Sequence, residues 1–439
     1  MATRINAISG TIMSKLTTHK SKLKGSVVIP ASKSHTIRAV AIASLAAGRS
    51  TIRNPLLSDD ALSSVKCYRA LGAEIDTSDP SAWIVDGIAG QITPPDEIID
   101  VGNSGTTLRI AAGSAALVPN GRSVTFTGDE QICSRPVGPL LDSLNDLGAK
   151  CSSLNNNGKA PIKIEGALKG GKTSIAAVTS QYLSSLLLCT PLASNDTEID
   201  VTLLNEPGYV QMTLDWLDKQ AIAYDNQSFK KFLIKGGQSY TPFDLSVPAD
   251  FSSATFFLCA AALFGDEVTL LGLDFSDSQP DKEVVDYLKA MGANISVEPD
   301  SITIKAAGLR GTEIDMNKTP DALPAMAVTA AFAQGTTSLV NVTQARNKET
   351  DRIACMAQEL KKMSISVEEL PDGLIIHGGD VQPAQLHGWA DHRIVMAMAL
   401  AGLGLDAPCT IDTAEAMSVT FPTYVQLMQS LGAEMELSA

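Results

Sequence analysis

The sequence predicts an α/β protein of two domains, in which a β-α-β-α-β-β unit is repeated six times, three times per domain. The first observation is a Leu-Gly-Ala tag, or a variant of it, whose middle residues fall at positions 72, 148, 220, 292, 364 and 432. The intervals are 76, 72, 72, 72 and 68 residues, and a nearly fixed period of this size indicates a repeated supersecondary unit. Six units are too many for one core, so we expect two domains of three units.

The second observation is that each unit carries a helix of small and apolar residues. A helix that is apolar all round is typical of a buried position. These helices are expected at residues 34–46, 104–116, 180–188, 252–263, 321–332 and 391–403.

The remaining elements of the unit follow in a constant order. A β-rich run comes after each helix, at 50–54, 123–127, 197–204, 267–273, 336–342 and 409–411. A second, amphipathic helix then ends at the tag, where Gly suits a helix C-terminus. Two short strands joined by a turn, such as Pro371-Asp372-Gly373, close the unit.

The repeats also predict where the chain divides. We expect one domain to comprise residues 1–30 and 249–439, with repeats four to six, and an inserted domain to comprise residues 31–248, with repeats one to three. The N-terminal strand then packs with the last three units. The active site is expected in the cleft between the domains.

Composition excludes several classes of function. The formal net charge of −14 disfavours a nucleic-acid surface, so an anionic ligand must be bound by a few placed cations. The seven cysteines form no C-x-x-C pair, which indicates a reducing, cytoplasmic compartment. The five histidines show no metal-ligand spacing, and no apolar run is long enough to span a bilayer. We expect a monomer with no metal, no cofactor and no membrane contact.

Charged residues gather at the starts of the small-residue helices. Ser, Thr, Asp and Asn at these positions are ordinary N-caps. Cations there oppose the helix dipole and are tolerable if an anion binds beside them. The cations near these starts therefore predict an anionic, phosphorylated small molecule as ligand: Lys33, Arg38, Arg109, His392 and Arg393.

Two further basic clusters precede second helices, one at Arg135-Pro136 in unit two and one at 346–352 in unit five. Lys348 and Arg352 are four residues apart with Glu349 between them, which predicts two cations on one face of a helix start. A solvated salt-bridge face is the usual interpretation of such a run. Its place in the repeat favours a binding site instead.

Together these motifs resemble the 5-enolpyruvylshikimate-3-phosphate (EPSP) synthase family over essentially the whole chain. The resemblance rests on five motifs in order: Pro30-Ala31-Ser32-Lys33-Ser34 with Arg38, Gly102-Asn103-Ser104-Gly105-Thr106 with Arg109, Arg135-Pro136, Lys348-Glu349-Thr350-Asp351-Arg352 and Asp391-His392-Arg393. It implies two inverse α/β domains that close on phosphoenolpyruvate and shikimate 3-phosphate. The implied reaction transfers the enolpyruvyl group to the 5-hydroxyl and releases phosphate by addition and elimination, in aromatic amino acid biosynthesis. The family is the target of glyphosate.

The resemblance also implies residue roles. Phosphoenolpyruvate would be bound by Lys33, Asn103, Gly105, Arg135, Gln181, Arg352 and Arg393. Shikimate 3-phosphate would be bound by Lys33, Ser34, Arg38, Thr179, Ser180, Gln181, Tyr209, Asp321, Gln344 and Lys348. Asp321, helped by Lys348, would take the hydroxyl proton, and Glu349 or Lys33 would protonate the methylene carbon. His392 is counted with the catalytic residues.

The chain also departs from the family pattern. Val419 stands where the family has Lys, Glu206 where it has Ser, and Gln344 where it has Asn. Two alternatives follow. One is a UDP-N-acetylglucosamine enolpyruvyl transferase, although that family has a Cys five residues before the Arg-Pro pair, where this chain has Glu130. The other is a non-catalytic relative that binds shikimate phosphate, which only Glu206 and Val419 support.

Overall fold

The structure is a computed structural model that describes residues 14–438. Over this range the chain forms six four-stranded sheets, one for each predicted repeat. In each sheet the strands of a unit lie in the order first, second, fourth, third; the first pair is parallel and the other two pairs are antiparallel. The sixfold β-α-β-α-β-β pattern is confirmed.

The first half of the chain contains two leading strands, three repeats and a closing strand. The leading strands are β1 (Lys15–His19) and β2 (Leu23–Val28). Repeat one contains α1 (Lys33–Leu45), β3 (Arg49–Arg53), α2 (Asp59–Ala70), β4 (Glu74–Asp76) and β5 (Ala82–Asp86). Repeat two contains β6 (Ile99–Asp100), α3 (Gly105–Ala115), β7 (Ser123–Thr127), α4 (Glu130–Ser134), α5 (Gly138–Asp146), β8 (Lys150–Ser153) and β9 (Ile162–Glu165). Repeat three and the closing strand are β10 (Gly171–Ala177), α6 (Ser180–Cys189), β11 (Thr197–Leu204), α7 (Pro207–Lys219), β12 (Tyr224–Gln227), β13 (Lys231–Ile234) and β14 (Asp244–Ser246).

The second half contains the other three repeats. Repeat four contains α8 (Phe251–Phe264), β15 (Gly265–Leu271), α9 (Val284–Ala290), β16 (Asn294–Glu298) and β17 (Ser301–Lys305). Repeat five contains β18 (Glu313–Asp315), α10 (Leu323–Phe332), β19 (Thr336–Val340), α11 (Arg352–Lys362), β20 (Ser366–Leu370) and β21 (Gly373–His377). Repeat six contains β22 (Gln385–Leu386), α12 (His392–Gly402), β23 (Cys409–Ile411), α13 (Tyr424–Ser430) and β24 (Glu434–Ser438).

Three strands complete sheets whose other strands are distant in sequence. β2 pairs in parallel with β15 and is the first strand of repeat four. β1 lies between β23 and β24 and is the fourth strand of repeat six. β14 pairs in parallel with β3 and is the first strand of repeat one. The predicted packing of the N-terminal strand with the last three units is thus observed for β1 and β2, while residues 1–13 lie outside the described range.

The small-residue helices form two separate apolar cores. α1, α3 and α6 contribute to one cluster of buried side chains, and α8, α10 and α12 to the other. These helices are buried nearly all round; in α8, Phe256, Phe257 and Leu258 are consecutive and none exceeds 1% exposure. Burial of such side chains stabilises each core by about 1.5–3 kcal/mol per residue.

The two halves are joined by neighbouring segments. Ser32 N–H donates to the Pro248 carbonyl at 2.8 Å, and Asp250 N–H donates to the Pro30 carbonyl at 2.9 Å. The starts of α1 and α8 therefore lie side by side. Within residues 14–438, no helix is long and apolar enough to cross a membrane.

Two local predictions are wrong. The helix expected from residue 321 begins at Leu323, because Pro320–Ala322 forms a 3₁₀ turn before it. Lys348 and Glu349 do not share a helix face with Arg352. They lie before α11, whose N-cap is Asp351, and the Asp351 carboxylate accepts the Ala354 N–H at 3.0 Å.

Candidate active site

A small cavity of about 50 Å³ lies between the two cores, where helix starts from both halves meet. Most of the predicted site residues line it: Lys33, Ser34, Arg38, Gly105, Arg135, Ser180, Gln181, Tyr209, Asp321, Lys348, Glu349, Arg352, His392 and Arg393. The cavity is narrow because side chains of opposite charge meet across it.

N-caps fix the helix starts from which these side chains project. The Ser32 hydroxyl accepts the His35 N–H at the start of α1, next to Lys33. At the start of α12, the Asp391 carboxylate accepts the Arg393 N–H at 2.9 Å. Each cap satisfies an N–H group that the helix leaves unpaired, so the adjacent cation is held at a defined position.

Arg352 is the centre of the ion-pair network and is 1% exposed. Its guanidinium lies 2.9 Å from Asp321 Oδ1, 2.5 Å from Glu349 Oε2 and 2.8 Å from Asp391 Oδ2. Burial would lower the pKa of Arg352, but Asp391 and Glu349 raise it above its usual value. Arg352 is therefore permanently charged and holds three carboxylates in fixed positions.

Asp321 faces three cations. Arg352 is 2.9 Å away, Arg393 Nη2 lies 3.1 Å from Oδ2, and Lys348 Nζ lies 3.5 Å from Oδ1. Burial would raise the pKa of Asp321, but Arg393 and Lys348 outweigh it and hold the pKa well below its usual range. Asp321 is thus ionised and able to accept a proton.

Glu349 and His392 lie beside this network with different charges. Arg135 Nη1 lies 3.4 Å from Glu349 Oε1 and joins the two halves. Burial would raise the pKa of Glu349, but Arg352 and Arg135 hold it well below its usual range. Burial lowers the pKa of His392 to about 3, so its ring is neutral. His392 Nε2 has no hydrogen-bond partner among the described residues.

A second group of contacts surrounds Lys348. Its ammonium pairs with the buried carboxylate of Glu206 from the other half of the chain. Glu206 also accepts the Ser180 N–H at 3.2 Å and the Ser180 hydroxyl at 2.7 Å. Burial would lower the pKa of Lys348, but Glu206 and Asp321 raise it. Tyr209, which follows Glu206 by three residues, donates its hydroxyl to Asp281 at 2.6 Å.

Two buried arginines donate their hydrogen bonds to uncharged acceptors. Arg38 donates to Thr213 Oγ1 and the Tyr209 carbonyl, both at 2.9 Å. Arg109 donates to the Gly105 and Pro136 carbonyls at 3.1 and 3.2 Å. Burial lowers the pKa of each to about 10, with a further contribution from Arg135 at Arg109. Both remain cations at neutral pH.

Gly105 packs closely against two arginine side chains at the start of α3. A Cβ atom there would lie 2.5 Å from Arg109 Nη1 and 2.6 Å from Arg135 Nη1. Real contacts are longer than this, so any larger residue would move one of the guanidiniums. That Gly105 lets a substrate approach closely stays a prediction.

Three predicted residues do not line the cavity. The Asn103 amide donates to Asp129 Oδ2 and Gln131 Oε1, both at 2.6 Å, and this residue lines a separate cleft of about 410 Å³ with Val419. Thr179 and Gln344 line a small neighbouring cavity that also contains Arg109. The Gln344 amide instead donates to the Asn317 carbonyl at 2.8 Å.

The cavity also contains residues that the motifs did not indicate as functional: Asp60, Thr106, Glu206, Asp250 and Ser252. Asp60 Oδ2 pairs with Lys33 Nζ at 2.9 Å, and the Ser252 hydroxyl accepts from Arg393 Nη2 at 2.8 Å. Thr106, Asp250 and Ser252 lie at the starts of the first helices of their repeats. Their position in the repeat could therefore have predicted that they line the cavity. Asp60 stands at the start of a second helix, the repeat position that Arg352 occupies in unit five.

In this site the carboxylates are paired with cations and do not cluster with one another. Across residues 14–438, no group of three His, Cys, Asp or Glu side chains is arranged to hold a metal ion. The arrangement can bind anions through several cations and can accept a proton at Asp321.

Comparison with known proteins agrees with this geometry. The family described as EPSP synthase (3-phosphoshikimate 1-carboxyvinyltransferase) matches residues 17–428. The 3-phosphoshikimate 1-carboxyvinyltransferase of Acetivibrio thermocellus is 54% identical over 419 residues, 95% of this chain and 98% of the relative. That of Ruminiclostridium cellulolyticum is 52% identical over 422 residues, 96% and 99% of the two chains. A solved EPSP synthase from Acinetobacter baumannii is similar with a TM-score of 0.81 and 26% identity, covering 97% of this chain and 100% of that one. With nearly all of its length matched, the chain belongs to the EPSP synthase family.

Proposed function

We propose that this protein transfers the enolpyruvyl group of phosphoenolpyruvate to the 5-hydroxyl of shikimate 3-phosphate and releases phosphate. The observation that carries the proposal is the cavity where Lys348, Arg352 and Arg393 converge on the ionised carboxylate of Asp321, with Arg135 beside them on Glu349. Two anionic substrates need such a concentration of cations in an acidic protein. The reaction needs a base beside them.

The substrates are assigned to two sets of residues. Phosphoenolpyruvate, with its carboxylate and phosphate, is bound by Lys33, Asn103, Gly105, Arg135, Gln181, Arg352 and Arg393. Shikimate 3-phosphate is bound by Lys33, Ser34, Arg38, Thr179, Ser180, Gln181, Tyr209, Asp321, Gln344 and Lys348. Asn103, Thr179 and Gln344 need a movement of the cleft to reach a substrate, since none lines the cavity.

The chemistry balances with one base and one acid. Asp321, beside Lys348, takes the proton of the 5-hydroxyl as the oxygen attacks C2 of phosphoenolpyruvate and C3 gains a proton. The tetrahedral intermediate then returns a C3 proton to the group that supplied one and expels phosphate, which forms the enol ether. Fixed cations around the departing phosphate stabilise its charge, since they need no reorganisation.

Lys33 or Glu349 supplies the proton to C3. Glu349 is held ionised by Arg352 and Arg135. Substrate anions that bind these arginines weaken that hold, so the Glu349 pKa rises on binding. The neutral His392 ring lies near Glu349, and its Nε2 has no hydrogen-bond partner within residues 14–438.

We also propose the domain boundaries, oligomeric state and compartment given by the sequence. Residues 1–30 and 249–439 form one domain and residues 31–248 the other; the two separate cores support this division. The protein acts as a monomer, which size-exclusion chromatography with light scattering would test. The free cysteines of residues 14–438 favour the cytoplasm, since thiols remain reduced there.

The test is release of inorganic phosphate from phosphoenolpyruvate, with either shikimate 3-phosphate or UDP-N-acetylglucosamine as acceptor. We expect turnover only with shikimate 3-phosphate. Asp321→Asn should lower kcat by about 10²–10⁴, the usual contribution of a positioned base. Asp300→Asn, at an exposed turn between β16 and β17, is the control that should keep full activity. Equal, negligible rates for the wild type and Asp321→Ala would contradict the proposal.

A further inference from the structure

The Glu206 carboxylate is held by hydrogen-bond donors from both halves of the chain. One oxygen pairs with the Lys348 ammonium, and the other accepts the N–H and hydroxyl of Ser180 and lies 3.5 Å from the Thr179 hydroxyl. Glu206 is 2% exposed. An ammonium, two hydroxyls and an N–H at the start of α6 are together the donors of an anion subsite. The protein's own side chain fills that subsite.

The backbone at Glu206 shows that this residue type is unusual at its position in the repeat. A left-handed residue follows the second strand in five of the repeats; the others are Asn54 (φ 50°), Gly272 (φ 87°), Asn341 (φ 58°) and Thr413 (φ 52°). Asn and Gly adopt this conformation readily, whereas Glu does not. Glu206 has φ 57° and precedes Pro207. The left-handed backbone at residue 206 does not explain why the residue is Glu. The carboxylate is what distinguishes Glu206 from the equivalent residues of the other repeats.

We propose that Glu206 is a tethered competitor for the phosphate of the acceptor substrate and thereby sets the affinity for it. This inference rests on the proposed function. The phosphate displaces the carboxylate and takes over Lys348, Ser180 and Thr179. The apparent dissociation constant of the substrate is then the intrinsic one divided by the fraction of molecules in which Glu206 has left the subsite.

The structure provides a place for the displaced carboxylate. Glu206 also lines the small cavity of about 10 Å³ next to the main one, together with Arg109 and Arg135. The Nε atoms of both arginines lack hydrogen-bond partners among the described residues. Within residues 14–438, the Arg109 guanidinium donates only to the Gly105 and Pro136 carbonyls. Rotation of the Glu206 side chain toward Arg109 keeps its charge compensated while the substrate is bound.

The experiment compares Glu206→Asn and Glu206→Gln with the wild type. Asn suits the left-handed backbone and is too short to fill the subsite, whereas Gln keeps the length and removes the charge. We expect both to lower the KM for shikimate 3-phosphate about tenfold, with kcat and the KM for phosphoenolpyruvate little changed. Binding of unphosphorylated shikimate should not tighten. Thr413→Asn changes the equivalent left-handed residue of repeat six and should leave all constants unchanged.

A double-mutant cycle tests the displaced position. Arg109→Lys should weaken shikimate 3-phosphate binding when Glu206 is present and have little effect in the Glu206→Gln background. Affinity for inorganic phosphate, measured by calorimetry, is a second readout that needs no turnover and should rise in both Glu206 variants. An unchanged or lower phosphate affinity in both variants would overturn the inference. Absence of turnover in the wild type would instead overturn the proposed function.

Discussion

At the scale of single residues, Asp281 carries an unusual charge state. Burial, and then the charge of Asp321, raise the pKa of Asp281 to about 7. Its Oδ2 accepts the Tyr209 hydroxyl at 2.6 Å, while Oδ1 has no partner among the described residues. The folded protein therefore favours the protonated carboxyl. Because the unfolded chain releases this proton near pH 4, the contribution of Asp281 to the free energy of unfolding falls as pH rises from about 4 to about 7, whereas that of His392, whose folded pKa is about 3, rises until about pH 6.5.

Asp281→Asn should remove this dependence. Asn keeps the acceptor for Tyr209 and does not titrate, so the variant should gain stability relative to the wild type at pH 8, on the order of 4 kcal/mol at most. At pH 5 the two proteins should differ much less. Urea unfolding at both pH values measures this. Asp321 and Glu349 have lowered pKa values, so their contributions are lost only at more acidic pH and do not interfere.

At the scale of elements, Asp391 makes two stabilising interactions at the start of α12. It caps the helix through the Arg393 N–H, and it pairs with Arg352 at 2.8 Å while fully buried. Asp391→Ala loses both interactions and leaves Arg352 short of a partner, which should destabilise the protein by about 3–5 kcal/mol. Asp391→Asn keeps a good cap and loses only the charge, so its loss should be smaller. Equal losses in denaturant unfolding would contradict this division.

At the scale of the whole molecule, the substrates need the halves to separate. The cavity of about 50 Å³ is far smaller than the roughly 300 Å³ of a small ligand pocket. At the rim, the Ser418 hydroxyl donates to Asp59 Oδ2 at 2.6 Å across the two halves. A disulfide between Asp59→Cys and Ser418→Cys should hold the cleft shut. We expect the oxidised double variant to lose activity and to regain it on reduction, with each single variant active in both conditions.

The repeat made much of the fold predictable. The tag spacing predicted six units, and the apolar composition predicted which helices are buried; all six lie in the two cores. The start of α10 was missed because the prolines at 320 and 324 allow either a turn or a first helical turn. The helix face expected from Lys348 to Arg352 was wrong because Asp351 caps α11 three residues later than the charge pattern suggests.

The site was predictable only in part, for a different reason. Cations were found from their positions at helix starts, which is local information. Their partners depend on packing between distant elements: Glu206 and Lys348 are 142 residues apart, and Arg352 and Asp391 are 39 apart. Asn103 was expected at the cavity, but Asp129 and Gln131 hold its amide at another cleft. No sequence pattern within one repeat predicts which of the two clefts Asn103 lines.

The placement of β1 and β2 has a consequence for biosynthesis. These strands are synthesised well before their partners β15, β23 and β24, which follow some 240 to 420 residues later in the chain. At the usual rate of translation they wait roughly 10 to 80 s without partners. Repeats one to three, completed by β14, can fold during that interval. β1 and β2 therefore stay unpaired after repeats one to three have been made, when a chaperone can protect them.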